Sequence, residues 1–128
     1  MRLLIAMSLL AAIAAAPAYA DNIDIRANDV LPSCRDALSV TSAVDAESKI
    51  KSPFFSGFCM GMVSAMMQDQ TGKGEKNADF CYPDGASVRD AIALIVKEAD
   101  ENRATIGPDD SFYDMTFVLL STYWPCKK

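Results

Sequence analysis

The chain has 128 residues, 51% of them hydrophobic, with 17 acidic and 12 basic side chains, a net charge of −5 and no histidine. That length supports one domain with a modest core. The acidic balance argues against nucleic acid or anionic lipid as the main partner. Without histidine there is no imidazole base or imidazole metal ligand.

The N-terminus reads as an export signal. Arg2 precedes the apolar run LLIAMSLLAAIAAA, and APAYA follows, with Ala18 and Ala20 at the small-residue positions of a cleavage site. Cleavage after Ala20 would leave Asp21–Lys128, 108 residues with a net charge of −6. The expected location is the periplasm, with no membrane anchor in the mature part. All four cysteines, Cys34, Cys59, Cys81 and Cys126, lie in that part. An even count in an oxidising compartment reads as two disulfides, with three pairings open. There is no C-x-x-C, and a zinc site would need all four thiolates at unfamiliar spacings.

The first predicted helix runs from Val30 to Ala46, with Leu31, Cys34, Leu38 and Val44 on its apolar side and Pro32 in its first turn. The second starts after Ser52 with Pro53 at its first position and reaches Gln70. The polar stretch DQTGKGEKNAD, Asp69 to Asp79, is expected to be an exposed, mobile loop. Pro83-Asp84-Gly85 makes a turn, and Ser87 caps a third helix from Val88 to Asn102. Asp90 stands where a capping box usually has Glu. Val88, Ala91, Ile92, Ile95 and Ala99 share the buried side of that helix. Gly107-Pro108 breaks the chain, and Asp109 or Asp110 precedes a fourth helix that reaches Trp124 before Pro125. No segment alternates with period two. The expected fold is all-α, a small compact bundle of about four to five helices stapled by two disulfides.

The second helix opens with SPFFSGFCMGMVSAMMQ, which carries no charge. As a helix it spans roughly 25 Å, short of the ~20 apolar residues of a membrane span. Gly57, Gly61, Ser64 and Gln68 form a small or polar stripe, and Phe54, Phe55, Phe58, Met62, Ala65 and Met66 cover the adjoining side. The expectation is a central helix surrounded by neighbours, one of which approaches along the small residues. Met60, Met62, Met66 and Met67 raise the rival of Cu(I) binding. They point to nearly opposite sides, so core filling is preferred and no metal or cofactor is expected. No catalytic constellation is present either, and the chain is not expected to be an enzyme.

Two segments are candidates for binding a protein partner. Tyr113, Phe117, Leu120 and Trp124 repeat at i, i+4, i+7 and i+11 on the last helix, beside a core-suited side of Phe112, Met115, Leu119 and Tyr123. The aromatic stripe is either buried between neighbours or an interface. In the polar stretch, Lys73, Glu75 and Lys76 are either an ordinary solvated connector or a segment that enters an enzyme cleft.

Three motifs resemble the Rap/Tai immunity protein family. Phe58-Cys59-Met60-Gly61-Met62-Val63-Ser64-Ala65 is similar to its C-x-G-y-i-x-G helix, with Ala65 in place of the second glycine. Phe80-Cys81-Tyr82-Pro83-Asp84-Gly85, leading into Ala86-Ser87-Val88-Arg89, resembles its F-C-x-P-x-G-v-t turn. Tyr123-Trp124-Pro125-Cys126 resembles its closing a-F-P-C, and Cys34 falls at its first cysteine. The resemblance implies a helical periplasmic protein that blocks a peptidoglycan amidase effector of type VI secretion, often as a homodimer. The pairing expected with it is Cys34–Cys59 and Cys81–Cys126. A periplasmic acid-stress holdase resembling HdeA is the alternative, and an orphan domain with no toxin partner is a third reading.

Overall fold

The computed structural model describes residues 25–102, 105–107 and 109–127. The expected export signal lies outside them. Five helices follow in order: α1 (Ala27–Ser39), α2 (Ala43–Lys49), α3 (Pro53–Lys73), α4 (Val88–Glu101) and α5 (Phe112–Tyr123). The described residues hold no strand; Arg26 and Ser111 form an isolated antiparallel bridge. Through it the Ala27 N–H donates to the Asp110 carbonyl at 2.8 Å, and the Phe112 N–H to the Ile25 carbonyl at 2.9 Å. Both helix starts thus gain backbone partners that no side-chain cap on Arg26 supplies.

The expected all-α bundle is present, and both disulfides are paired as the family resemblance implied, Cys34 with Cys59 and Cys81 with Cys126. The expected first helix, however, is two. Val40 is extended, and α2 starts again at Ala43. The exposed carbonyls of the α1 terminus are taken by cations from elsewhere. Arg89 of α4 donates to the Leu38 and Val40 carbonyls, and Lys49 donates to that of Ser39 at 3.0 Å. Tertiary capping therefore favours a break that periodicity does not show. Since α1 also begins at Ala27, Pro32 lies inside the helix rather than in its first turn. Val44 falls in α2, and its side chain is outside the described ones.

The hub of the bundle is α1, not α3. It packs on all four other helices, most extensively on α3, where Cys34–Cys59 joins the two. The main packing of α3 is on α1 and α4, through Ser56, Cys59, Val63, Met66, Met67 and Gln70. Its opposite face is bare. Phe54 and Met60 are exposed, as are Gly57, Gly61 and Ala65. A methyl group added at either glycine would meet nothing within 4 Å. The small-residue stripe therefore faces outward, and among the described residues no neighbour approaches along it.

The α4 expectation holds. Ala91, Ile92, Ile95 and Ala99 are buried, and Ser87 and Asp90 make a complete capping box despite the aspartate. Ser87 Oγ accepts from the Asp90 N–H at 3.2 Å, and Asp90 Oδ2 accepts from the Ser87 N–H at 2.7 Å. The α5 cap is Ser111, one residue beyond the expected aspartates. Phe112, Met115 and Leu119 enter the core with Phe80, Val30, Val63, Ile92 and Ile95. Tyr123 does not; it is 44% exposed.

Candidate functional site

The two candidate partner surfaces meet, but only in part. Helix α3 continues through Asp69–Lys73 before Gly74 ends it, so the first half of the expected loop is helical. Gly74 has φ +70°, a conformation that favours glycine. The chain then turns so that Asp79 comes back beside Lys73. This brings the end of α3 alongside Tyr113 and Phe117 on α5. A groove of about 430 Å³ lies between them, with Met62, Ala65, Met66, Asp69, Gln70, Lys73 and Asp79 completing its lining.

The apolar end is built on aromatic contacts. Tyr113 and Phe117 stack with centroids 6.4 Å apart and planes 12° from parallel. Phe117 also meets the buried Phe80 edge-on at 6.4 Å, which fixes its ring. Tyr113, 52% exposed, has no such support.

The other members of the stripe do not join this surface. Leu120 is fully buried in the core. Trp124 is half-buried at the C-cap of α5, where its carbonyl accepts from the Cys81 N–H at 2.8 Å. The four share one side of α5, but what lies over that side changes along the helix, solvent at Tyr113 and the core at Leu120. Glu75 and Lys76 are exposed and border a neighbouring cleft that also touches Ser121, Cys126 and Lys127. Of the residues singled out in the sequence, Lys73, Tyr113 and Phe117 come together.

The charged end is held by a small network. Lys73 Nζ lies 2.9 Å from both Asp69 Oδ2 and Asp79 Oδ2. Those contacts, with Asp79 first, push the lysine pKa up, and Lys73 in turn holds the Asp79 carboxyl below its usual range. Gln70, nearly buried, accepts the Asp79 N–H on its side-chain oxygen at 2.6 Å. Asp69, Gln70 and Asp79 were not singled out in the sequence. The clue was Gln70, a glutamine that continues the buried face of an apolar helix.

The Arg26 bridge and the Cys81–Cys126 disulfide stand near the two ends of the described residues. A family model described as Rap1a immunity proteins matches residues 26–126, the same span. The chain belongs to the Rap1a immunity protein family. No match was found among curated proteins or among solved structures. Immunity proteins act by binding a protein effector, so a Rap1a-family surface is to be sought as an interface rather than as a catalytic centre. Among the described residues, no helix is long and apolar enough to cross a membrane.

Elsewhere, among the described residues of the Rap1a-family fold, one carboxylate, Glu98, is nearly buried. The Tyr123 hydroxyl lies close by, and Lys97 Nζ is 3.3 Å from its Oε1. These contacts lower the Glu98 pKa and raise that of Tyr123. Asp90 is lowered by the Ser87 hydroxyl and N–H. A carboxylate depressed by folding stabilises above its unfolded pKa, and that stability is lost as pH falls through the folded value. For Lys73 and Lys97, whose values are raised, stability is present below the lysine range and lost as pH rises beyond it. The urea midpoint should therefore be flat from about pH 6 to 9 and fall below about pH 4. A midpoint that rises on acidification would contradict these contacts.

Proposed function

We propose that this Rap1a-family protein is exported to the periplasm and there binds and blocks a peptidoglycan amidase delivered by type VI secretion, without catalysis of its own. The observation that carries the reading is the groove between α3 and α5. It presents a stacked aromatic pair to solvent beside an ordered charged wall, and exposed aromatic anchors of this kind dominate protein interfaces. The disulfides agree with an oxidising compartment. The test is an assay of peptide release from peptidoglycan by effector amidases of the producing cell, with oxidised 21–128 added. Inhibition complete at a stoichiometric ratio supports the reading. Client protection at acid pH, with no amidase inhibited at neutral pH, would favour the holdase instead.

A homodimer is part of the proposal, and the bare face of α3 supports it. From Phe54 to Gln68 this face carries no charge. Two copies of an acidic chain meet with least repulsion where charge is absent. Gly61→Glu has free space for its side chain and removes a helix-interior glycine, which by propensity costs about 0.8–1.0 kcal/mol relative to alanine. It should therefore fold. Sedimentation should show a dimer mass for the parent and a monomer mass for G61E. Equal masses would remove α3 as the contact.

A further inference from the structure

Two carboxylates and one ammonium line the groove, and each carboxylate is bonded there through one of its two oxygens. Lys73 uses Oδ2 of Asp69 and Oδ2 of Asp79. Gln70 Nε2 donates to those same two oxygens, at 3.2 and 3.5 Å. The Oδ1 atoms of both aspartates have no partner among the described residues. The wall is thus net negative by one charge, and its lone cation is already shared between two acids. Beside it lie the stacked rings of Tyr113 and Phe117 and the side chains of Met62 and Met66. Aromatic faces attract cations, and methionine side chains adapt to the shape of an apolar stem. The volume of about 430 Å³ admits a long side chain rather than a folded element.

We propose that the groove receives a lysine- or arginine-type side chain of the effector, its aliphatic stem against Tyr113 and Phe117 and its charge at Asp69 and Asp79. The effector as source rests on the immunity reading above; the preference of the groove for a cation on an apolar stem does not. An anionic group is disfavoured because it meets the excess carboxylate and because Lys73 is already paired.

The test uses three probes of similar shape on the ¹⁵N-labelled, disulfide-bonded protein: 2-phenylethylammonium, 3-phenylpropionate and neutral 3-phenylpropanamide. Titration followed by amide NMR should show the ammonium probe moving Ala65, Asp69, Lys73, Asp79, Tyr113 and Phe117. At low salt it should bind up to about fivefold more tightly than the propionate, the range of an exposed ion pair, and the difference should shrink at about 0.5 M salt. Lys73→Met, which frees both acids, should tighten the ammonium probe. The double variant Asp69→Asn/Asp79→Asn leaves Lys73 as the only charge of the wall and should drop the ammonium probe below the neutral amide. The two variants move the affinity in opposite directions, so a folding defect in one leaves the other decisive. Equal affinity for the three probes, a preference for propionate, or shifts centred elsewhere would overturn the proposal. If the cation preference is present but no amidase is inhibited, the effector is removed as the source and the immunity reading falls with it.

Discussion

Replacing Cys34 and Cys59 together by alanine is expected to cost about 3–5 kcal/mol of folding stability. Their sequence separation of 25 residues corresponds to about 3.5 kcal/mol of chain entropy in the unfolded state. Both cysteines are fully buried, so removing the sulfurs also leaves unfilled space. Domains of this size are held by about 5–15 kcal/mol in total, and this pair joins α3 to α1, the helix on which every other helix packs. The Cys81–Cys126 pair closes a longer loop, with a sequence separation of 45 residues, worth about 4 kcal/mol by the same argument. Its cysteines are only half-buried, and the Cys81 N–H bond to the Trp124 carbonyl ties the same two segments. Loss of that pair should loosen the C-terminus and the side of α5 that carries the groove, with more of the core retained. Urea unfolding followed by circular dichroism separates the two outcomes. The C34A/C59A protein should be largely unfolded or have a much lower midpoint. An unchanged midpoint would show that helix packing alone holds α1 to α3.

What was legible in the sequence is what local chemistry dictates. Helix α4 could be read because its apolar residues fall at helical spacing and its start carries a self-contained cap, Ser87 with Asp90. The break between α1 and α2 could not, because what satisfies the end of α1 is Arg89, some 50 positions away (49 from Val40 and 51 from Leu38). Helix α3 misleads for a different reason. It is apolar on nearly every side, so its pattern does not say which face is covered. Its outward glycines, Gly57 and Gly61, look like packing residues although a side chain begun there would meet nothing within 4 Å. In the groove, sequence spacing identified Tyr113 and Phe117 but joined them to Leu120, which faces the core. The acidic half of the site was hidden because Asp69 and Asp79 are ten positions apart and meet only through the turn at Gly74.

Tyr113→Ala is expected to weaken effector binding at least about 30-fold, corresponding to the roughly 2 kcal/mol or more of an aromatic hot spot, while leaving the unfolding midpoint nearly unchanged. The separation of the two effects follows from its surroundings. Tyr113 is half exposed and its ring contact within the chain is the stack on Phe117, so the folded monomer loses little when it goes. Phe117 is different because its ring also rests against Phe80, a fully buried core residue. Phe117→Asp should therefore lose both binding and stability, and taken alone it would not tell an interface from a core position. Leu120→Ala makes the opposite control: buried in the core, it should cost about 2–5 kcal/mol of stability with the folded fraction binding normally. Val118 is more exposed than Tyr113 and lies on the same helix outside the groove, so Val118→Ala should change neither quantity. Calorimetric titration against the inhibited amidase, with a urea curve for each variant, reads all four. If Y113A binds like the parent while V118A does not, the effector sits on the other side of α5 and the groove is not its site.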